Sequence, residues 1–252
     1  MMETLNRSAS KQAQPLTIEL VGLAGAGKST LAKALSQGNV GVSVADDLQL
    51  RKLSHLPIFA AHMLSLWPVW LRSRHLERRL TWDEIKAMVY LKAWPQVLKE
   101  QGAKHSTVIL LDHGPIFKLA TLNAFGPKGL KGPEFERWWQ EMFRVWASTL
   151  DMVILLEGCH TNLIERINSR TQKHLVKGKS EQEASQFLDS YQLSYEEILT
   201  NLRKYGDPTL LQFDTIHTSV SQIVDEVRNV CDLTANELYV NKRETSVSIY
   251  SH

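Results

Sequence analysis

The chain has 252 residues but only two cysteines, Cys159 and Cys231, and no Cys-x-x-Cys pair. That excludes a disulfide framework and a cysteine zinc site and suits a reducing compartment. Long apolar runs are missing too. The most apolar stretch, Pro57 to Leu71, is broken by His62 and Pro68 and falls short of the ~20 residues a bilayer span needs. It reads as a buried helix pair, the alternatives being a hydrophobic acceptor groove or a membrane-surface contact. No secretory signal is expected, because the first fifteen residues contain no apolar core. Charge of one sign is also lacking. Lys and Arg total 29 against 27 Asp and Glu, a net charge of +2. A nucleic-acid footprint wants a larger, clustered excess. The expectation is a cytoplasmic protein with no nucleic-acid and no membrane partner, with a homodimer left open.

Apolar residues make up 43% of the chain and charged residues 22%, enough apolar material for a large core. Five short apolar runs read as strands: Leu16–Val21, Val40–Val44, Thr107–Leu111, Asp151–Leu156 and Thr209–Phe213. Helical spacing fills the gaps between them. Two Ser/Thr-x-x-Glu capping boxes, at Thr81–Glu84 and Ser180–Glu183, mark helix starts. A last amphipathic helix is expected over Ser219–Cys231. Residues 126–133 read as a flexible basic loop, and Trp67 and Trp70 as core. Strands alternating with helices imply a parallel sheet covered on both faces, with ligands at the carboxyl ends of the strands. The layout expected is a polar leader over 1–15, one α/β domain over 16–232 and a polar tail over 233–252. Within the domain, residues 48–104 are expected to hold an acceptor and residues 158–205 to form a helical lid.

The residues with the clearest chemistry are Gly22-Leu23-Ala24-Gly25-Ala26-Gly27-Lys28-Ser29, a complete Gly-x-x-x-x-Gly-Lys-Ser phosphate-binding loop between a strand and a helix. A random chain of this length would match it roughly one time in a hundred. Glycines let successive N–H groups turn inward, and the helix start adds partial positive charge. Gly22, Ala24, Gly25, Ala26, Gly27, Lys28, Ser29 and Thr30 are therefore expected to hold ATP. Lys28 reaches the β and γ phosphates, and the Ser29 hydroxyl suits Mg²⁺, which takes hard oxygen ligands. Asp112, ending an apolar strand, is the second expected Mg²⁺ ligand.

Other nucleotide users are set aside by missing motifs. There is no Asn/Thr-Lys-x-Asp guanine-reading motif, no Leu-Ser-Gly-Gly and no strand ending in Asp-Glu. The sequence resembles instead the nucleoside and nucleotide kinase branch of P-loop kinases, the thymidylate and deoxynucleoside kinases. It does so through Asp112-His113-Gly114 after the third strand and Arg166 and Arg170 after the fourth. The resemblance implies a P-loop NTPase fold of five parallel strands with helices on both faces and a helical lid. It implies MgATP as donor and a small-molecule acceptor. Arg166 and Arg170, four apart and so on one helix face, would lie over the transferring phosphoryl group. Asp46, or else Asp47, would take the proton of an acceptor alcohol. Asp214-Thr215 resembles the place where such kinases lay adenine. Where relatives carry Arg, this chain has His113, which leaves a neutral alcohol acceptor open. A second reading is a nucleotide-dependent regulatory NTPase with a macromolecular partner. A third, a P-loop domain that binds without turnover, runs against the intact Lys28 and Ser29.

Overall fold

The computed structural model describes residues 15–37, 41–45, 56–102, 107–171 and 174–232. Asp46 and Asp47, residues 1–14 of the expected leader and the tail expected over 233–252 lie outside the described residues.

Five strands form one parallel sheet: β1 (Leu16–Gly22), β2 (Val42–Val44), β3 (Val108–Asp112), β4 (Met152–Glu157) and β5 (Thr209–Asp214). Their order across the sheet is β2-β3-β1-β4-β5. The five expected runs form these strands. β1 lies between two neighbours with both faces covered, and all seven of its residues are buried. This explains its mostly apolar sequence, with Thr17 and Glu19 as the buried polar exceptions. The edge strands β2 and β5 carry exposed positions.

Helix α1 (Lys28–Gln37) joins β1 to β2 across β3, and every later crossover runs the opposite way along the sheet. Right-handed crossovers therefore place α1 on one face and the later helices on the other. The later helices are α2 (Leu56–Ser65), α3 (Trp67–Arg72), α4 (Trp82–Gly102), α5 (Pro115–Phe125), α6 (Pro133–Ala147), α7 (His160–Ser169) and α8 (Glu181–Arg203). A final helix, α9, covers 220–232, with Ile223, Val224 and Val227 buried. The reversal opens a crevice between the carboxyl ends of β1 and β3, the position where such sheets take ligands. Both capping boxes form. Thr81 and Glu84 exchange bonds at the start of α4, and Ser180 and Glu183 do so at the start of α8. The core beneath the later helices is aromatic. Tyr90 stacks on Trp94 at 4.6 Å, and the buried Trp146 indole donates to the Leu91 carbonyl at 3.0 Å.

Three local expectations are corrected. The apolar stretch over α2 and α3 is not buried: Leu66 and Val69 are, but α2 has no buried residue, and Leu64 is 76% and Trp67 52% exposed. These helices are apolar all round, and only one side packs on the core. Trp67 is therefore surface, and the side chain of Trp70 is not among those described. The loop over 126–133 contains a 3-10 turn, Lys128–Lys131, with Leu130 buried. The Glu77 carboxylate accepts the N–H groups of Lys128 and Gly129, and the Trp139 indole donates to Leu130, so this loop is anchored rather than flexible. Finally, α7 stops at Ser169, and Arg170 is extended with φ −76° and ψ 150°. Arg166 and Arg170 therefore do not share a helix face. Among the described residues no helix is long and apolar enough to cross a membrane.

Candidate active site

The phosphate loop leaves β1 at Gly22 and enters α1 at Lys28. Gly22 has φ +149°, and a Cβ there would lie 2.4 Å from the Leu156 carbonyl of β4. Gly25 has φ +88°, and its Cβ would lie 2.7 Å from the Leu163 carbonyl of α7. Both the left-handed backbone and the tight approach exclude a side chain. Gly25 and Ala26 are buried, Ala24 and Gly27 half-buried, and Ser29 and Thr30 exposed at the mouth. The Lys28 ammonium donates to the carbonyls of Gly22 at 2.7 Å and Leu23 at 3.1 Å, so it lies across the loop. Burial pushes the Lys28 ammonium down to about 8; Asp112 opposes this and Arg170 adds to it.

Asp112 ends β3 beside the loop. The Ser29 hydroxyl donates to its Oδ2 at 3.2 Å. Its Oδ1 is buried and has no hydrogen-bond partner among the described residues. The His113 Nδ1 lies 3.6 Å from it, beyond hydrogen-bond reach, and a buried carboxylate oxygen without a donor is costly unless something supplies charge. One hydroxyl and one carboxylate side by side fit Mg²⁺, which keeps several waters and phosphate oxygens in its shell. Among the described residues no cluster of three or more His, Cys, Asp or Glu gathers to cage a metal, so a cation here would depend on those outside ligands.

The turn after Asp112 is held from below. His113 takes φ +61°, uncommon for a residue with a side chain. The buried Glu19 of β1 accepts the N–H groups of Ile116 at 2.9 Å and Phe117 at 3.1 Å, in the first turn of α5. Gly114 has no room for a side chain, since a Cβ would lie 2.7 Å from the Glu19 carboxyl carbon. The exposed His113 ring packs edge-on to Phe117 at 4.7 Å.

No protein-family model and no curated protein sequence matches the chain. Solved structures do. One is a deoxyadenosine kinase from M. mycoides with dCMP and dCDP bound, at 17% identity and a TM-score of 0.53, covering 86% of this chain and 99% of that one. Another is a thymidylate kinase from Candida albicans, at 16% identity and a TM-score of 0.53, covering 88% and 93%. The fold is that of the P-loop nucleoside and nucleotide kinases. At this identity the likeness is one of fold.

The two arginines expected to form a lid have different surroundings. Arg166 reaches the loop and the turn after β5, donating to the Thr215 hydroxyl and carbonyl at 3.3 Å each and to the Gly25 carbonyl at 3.5 Å. It ties the loop to Asp214-Thr215. Asp214 itself caps its own turn, accepting Ile216 N–H at 2.8 Å. Arg170 is exposed, and its charge is felt at Lys28. Asp46 and Asp47 fall outside the described residues; the last described residue before them is Ala45, whose N–H donates to Leu110 of β3. Arg78, one of several arginines in the expected acceptor region, is structural. It pairs with both Glu84 oxygens at 2.6 and 2.9 Å and donates to the Phe125 carbonyl.

Sequence reading missed three residues. Glu19 sits inside a strand, where an isolated acid is the available signal. Tyr195 of α8 donates to the Gly22 carbonyl at 3.4 Å from 173 residues away, which no local pattern reveals. His174 is half-buried, and its basicity is lowered by burial and then by the charges of Lys28 and Arg170.

Proposed function

We propose that this protein is an ATP-dependent small-molecule kinase that transfers the γ-phosphoryl group of MgATP to a nucleoside, nucleotide or other alcohol acceptor. The observation that carries the reading is the grouping of the intact loop, Lys28, Ser29 and Asp112, whose Oδ1 is buried without a hydrogen-bond donor, at one crevice between β1 and β3. Phosphoryl transfer needs position and neutralised charge more than covalent chemistry. Loop N–H groups and the start of α1 bind the triphosphate, with Thr30 and Ser29 at the mouth. Lys28 swings from the carbonyls of Gly22 and Leu23 onto the β and γ oxygens. Ser29 and Asp112 would hold Mg²⁺, which would supply the remaining positive charge. Arg170 approaches the transferring group from the lid side, and Arg166 with Thr215 borders the base. Asp46 accepts the acceptor's proton, with Asp47 as the substitute.

The test is ATP consumption scanned against nucleosides, nucleotides and sugars. An acceptor that stimulates transfer, with Lys28→Ala abolishing it and Asp46→Asn slowing it while sparing ATP binding, supports the reading. ATP binding with no stimulation by any acceptor sinks it. A regulatory NTPase is the second reading, favoured by the exposed apolar face of α2 and α3. ATP hydrolysis that responds only to a macromolecule would select it.

A further inference from the structure

Helices α2 and α3 form almost one rod. Leu66, between them, keeps near-helical angles, φ −85° and ψ 0°, and its N–H donates back to the His62 and Met63 carbonyls at 3.2 Å. Leu56, Ala60, Leu64, Trp67 and Leu71 recur at spacings of three and four and so share one stripe, roughly 22 Å long at 1.5 Å per residue. All five are exposed, and Leu64 is 76% accessible. The opposite stripe, with Leu66 and Val69, is the one that packs on the core. An uninterrupted exposed stripe of this kind marks a contact surface rather than a scatter of single apolar residues.

The charges around the stripe say what it contacts. Residues 56–71 contain no Asp, Glu, Lys or Arg, and no carboxylate appears before Glu77. Immediately after the stripe come Arg72, Arg74 and Arg79, all exposed. Glu77 is occupied by the N–H groups of Lys128 and Gly129, and Arg78 by Glu84. A groove beside Leu71 adds His75 and Arg137 to the rim, against one acid, Glu134. A leucine and tryptophan stripe that ends in arginines matches the chemistry of a helix lying in the headgroup layer of an anionic bilayer.

We propose that the α2–α3 face docks this protein flat on an anionic lipid surface, with Leu64, Trp67 and Leu71 in the headgroup boundary and Arg72, Arg74 and Arg79 on the phosphates. This goes beyond the kinase reading and does not depend on it. The sequence expectation of no membrane partner rested on spanning length, which docking does not require.

The experiment is co-sedimentation of the full chain with phosphatidylcholine vesicles and with mixed phosphatidylcholine–phosphatidylglycerol vesicles. The expected result is binding to the mixed vesicles that weakens with salt. It should fall at least about tenfold in the Leu64→Ser/Trp67→Ser variant and, separately, in Arg72→Gln/Arg74→Gln/Arg79→Gln. The altered residues are exposed, so circular dichroism should match the parent; if the apolar variant fails to fold, the arginine variant carries the test. No binding to mixed vesicles overturns the proposal, as does binding that neither variant weakens. A dimer by light scattering that Leu64→Ser/Trp67→Ser dissociates, with no vesicle binding, overturns it in favour of a second copy of this chain.

Discussion

Glu19 and Lys28 are two ionisable side chains that desolvation shifts in opposite directions, each towards its neutral form. Burial raises the Glu19 carboxyl to about 8, against the opposing effect of the Ile116 and Phe117 N–H groups. A folded value above the unfolded value means that the folded state holds the proton more tightly. That stability is complete below about 4.5 and is lost as pH rises through about 8, on the order of a few kcal/mol. Urea unfolding at a series of pH values should show this decline in the parent and a flatter profile in Glu19→Gln. Equal slopes would show that Glu19 does not titrate there. Lys28 has the reverse problem. Its ammonium is pushed down to about 8, and a bound triphosphate would restore it. Above about pH 8, nucleotide binding should therefore take up protons and weaken as pH rises. Calorimetry in buffers of different ionisation enthalpy measures the uptake, which should vanish in Lys28→Ala if the assignment holds.

At the scale of elements, the phosphate loop and α7 are one packed unit. Gly25 lies against the backbone of Leu163, and Arg166 from the same helix donates to its carbonyl. Gly25→Ala would need a left-handed alanine, costing roughly 1–2 kcal/mol, and would also push α7 away. We expect lower thermal stability and nucleotide affinity down by more than about tenfold, read by unfolding midpoint and by titration. Because α7 ends at Ser169, Arg166 on the helix and Arg170 just beyond it are expected to have different jobs. Arg166→Ala should cost stability, because it unties the loop from Thr215. Arg170→Ala should leave the unfolding midpoint near the parent and slow phosphoryl transfer about tenfold or more. Matching stability losses in the two variants would contradict this division. The Thr81–Glu84 box shows how much one element start can gather: Glu84 caps α4 and also grips Arg78, whose guanidinium reaches Phe125 at the end of α5.

For the whole molecule, the reversal of strand order between β1 and β3 creates the crevice of the candidate site, and long-range contacts keep it in shape. The α5 and α8 helices are joined by Asn123 to Ser194 and Glu197, at 3.2 and 2.8 Å, and by Phe117 stacked on Tyr191 at 5.9 Å. Next to Tyr191, Tyr195 reaches the Gly22 carbonyl. Binding to the loop should therefore stabilise the entire domain, and not only the loop. MgATP at a hundred times its dissociation constant should add about 2.7 kcal/mol to unfolding by mass action. Thermal unfolding with and without nucleotide measures this, and Lys28→Ala should lose most of the shift. A local change confined to residues near Gly22–Ser29, visible by hydrogen exchange without a shift in the midpoint, would contradict it.

Periodicity and the loop motif by themselves determined the five strands, both capping boxes and a Gly-x-x-x-x-Gly-Lys-Ser loop at a strand–helix junction. Each of these is written in neighbouring residues: apolar runs for the strands, Ser/Thr-x-x-Glu for the caps, and glycines before Lys28 for the loop. Only the tertiary structure decided what depends on residues far apart. It turned the apolar Leu56–Leu71 stretch outward, because hydrophobicity states a preference for burial but not whether a partner face exists. It gave Glu19 two N–H groups from the start of α5, made Arg78 a brace and took Arg170 off its helix. Side-chain roles of this kind are set by the partners that the sheet order brings close, and sheet order is a property of the whole chain.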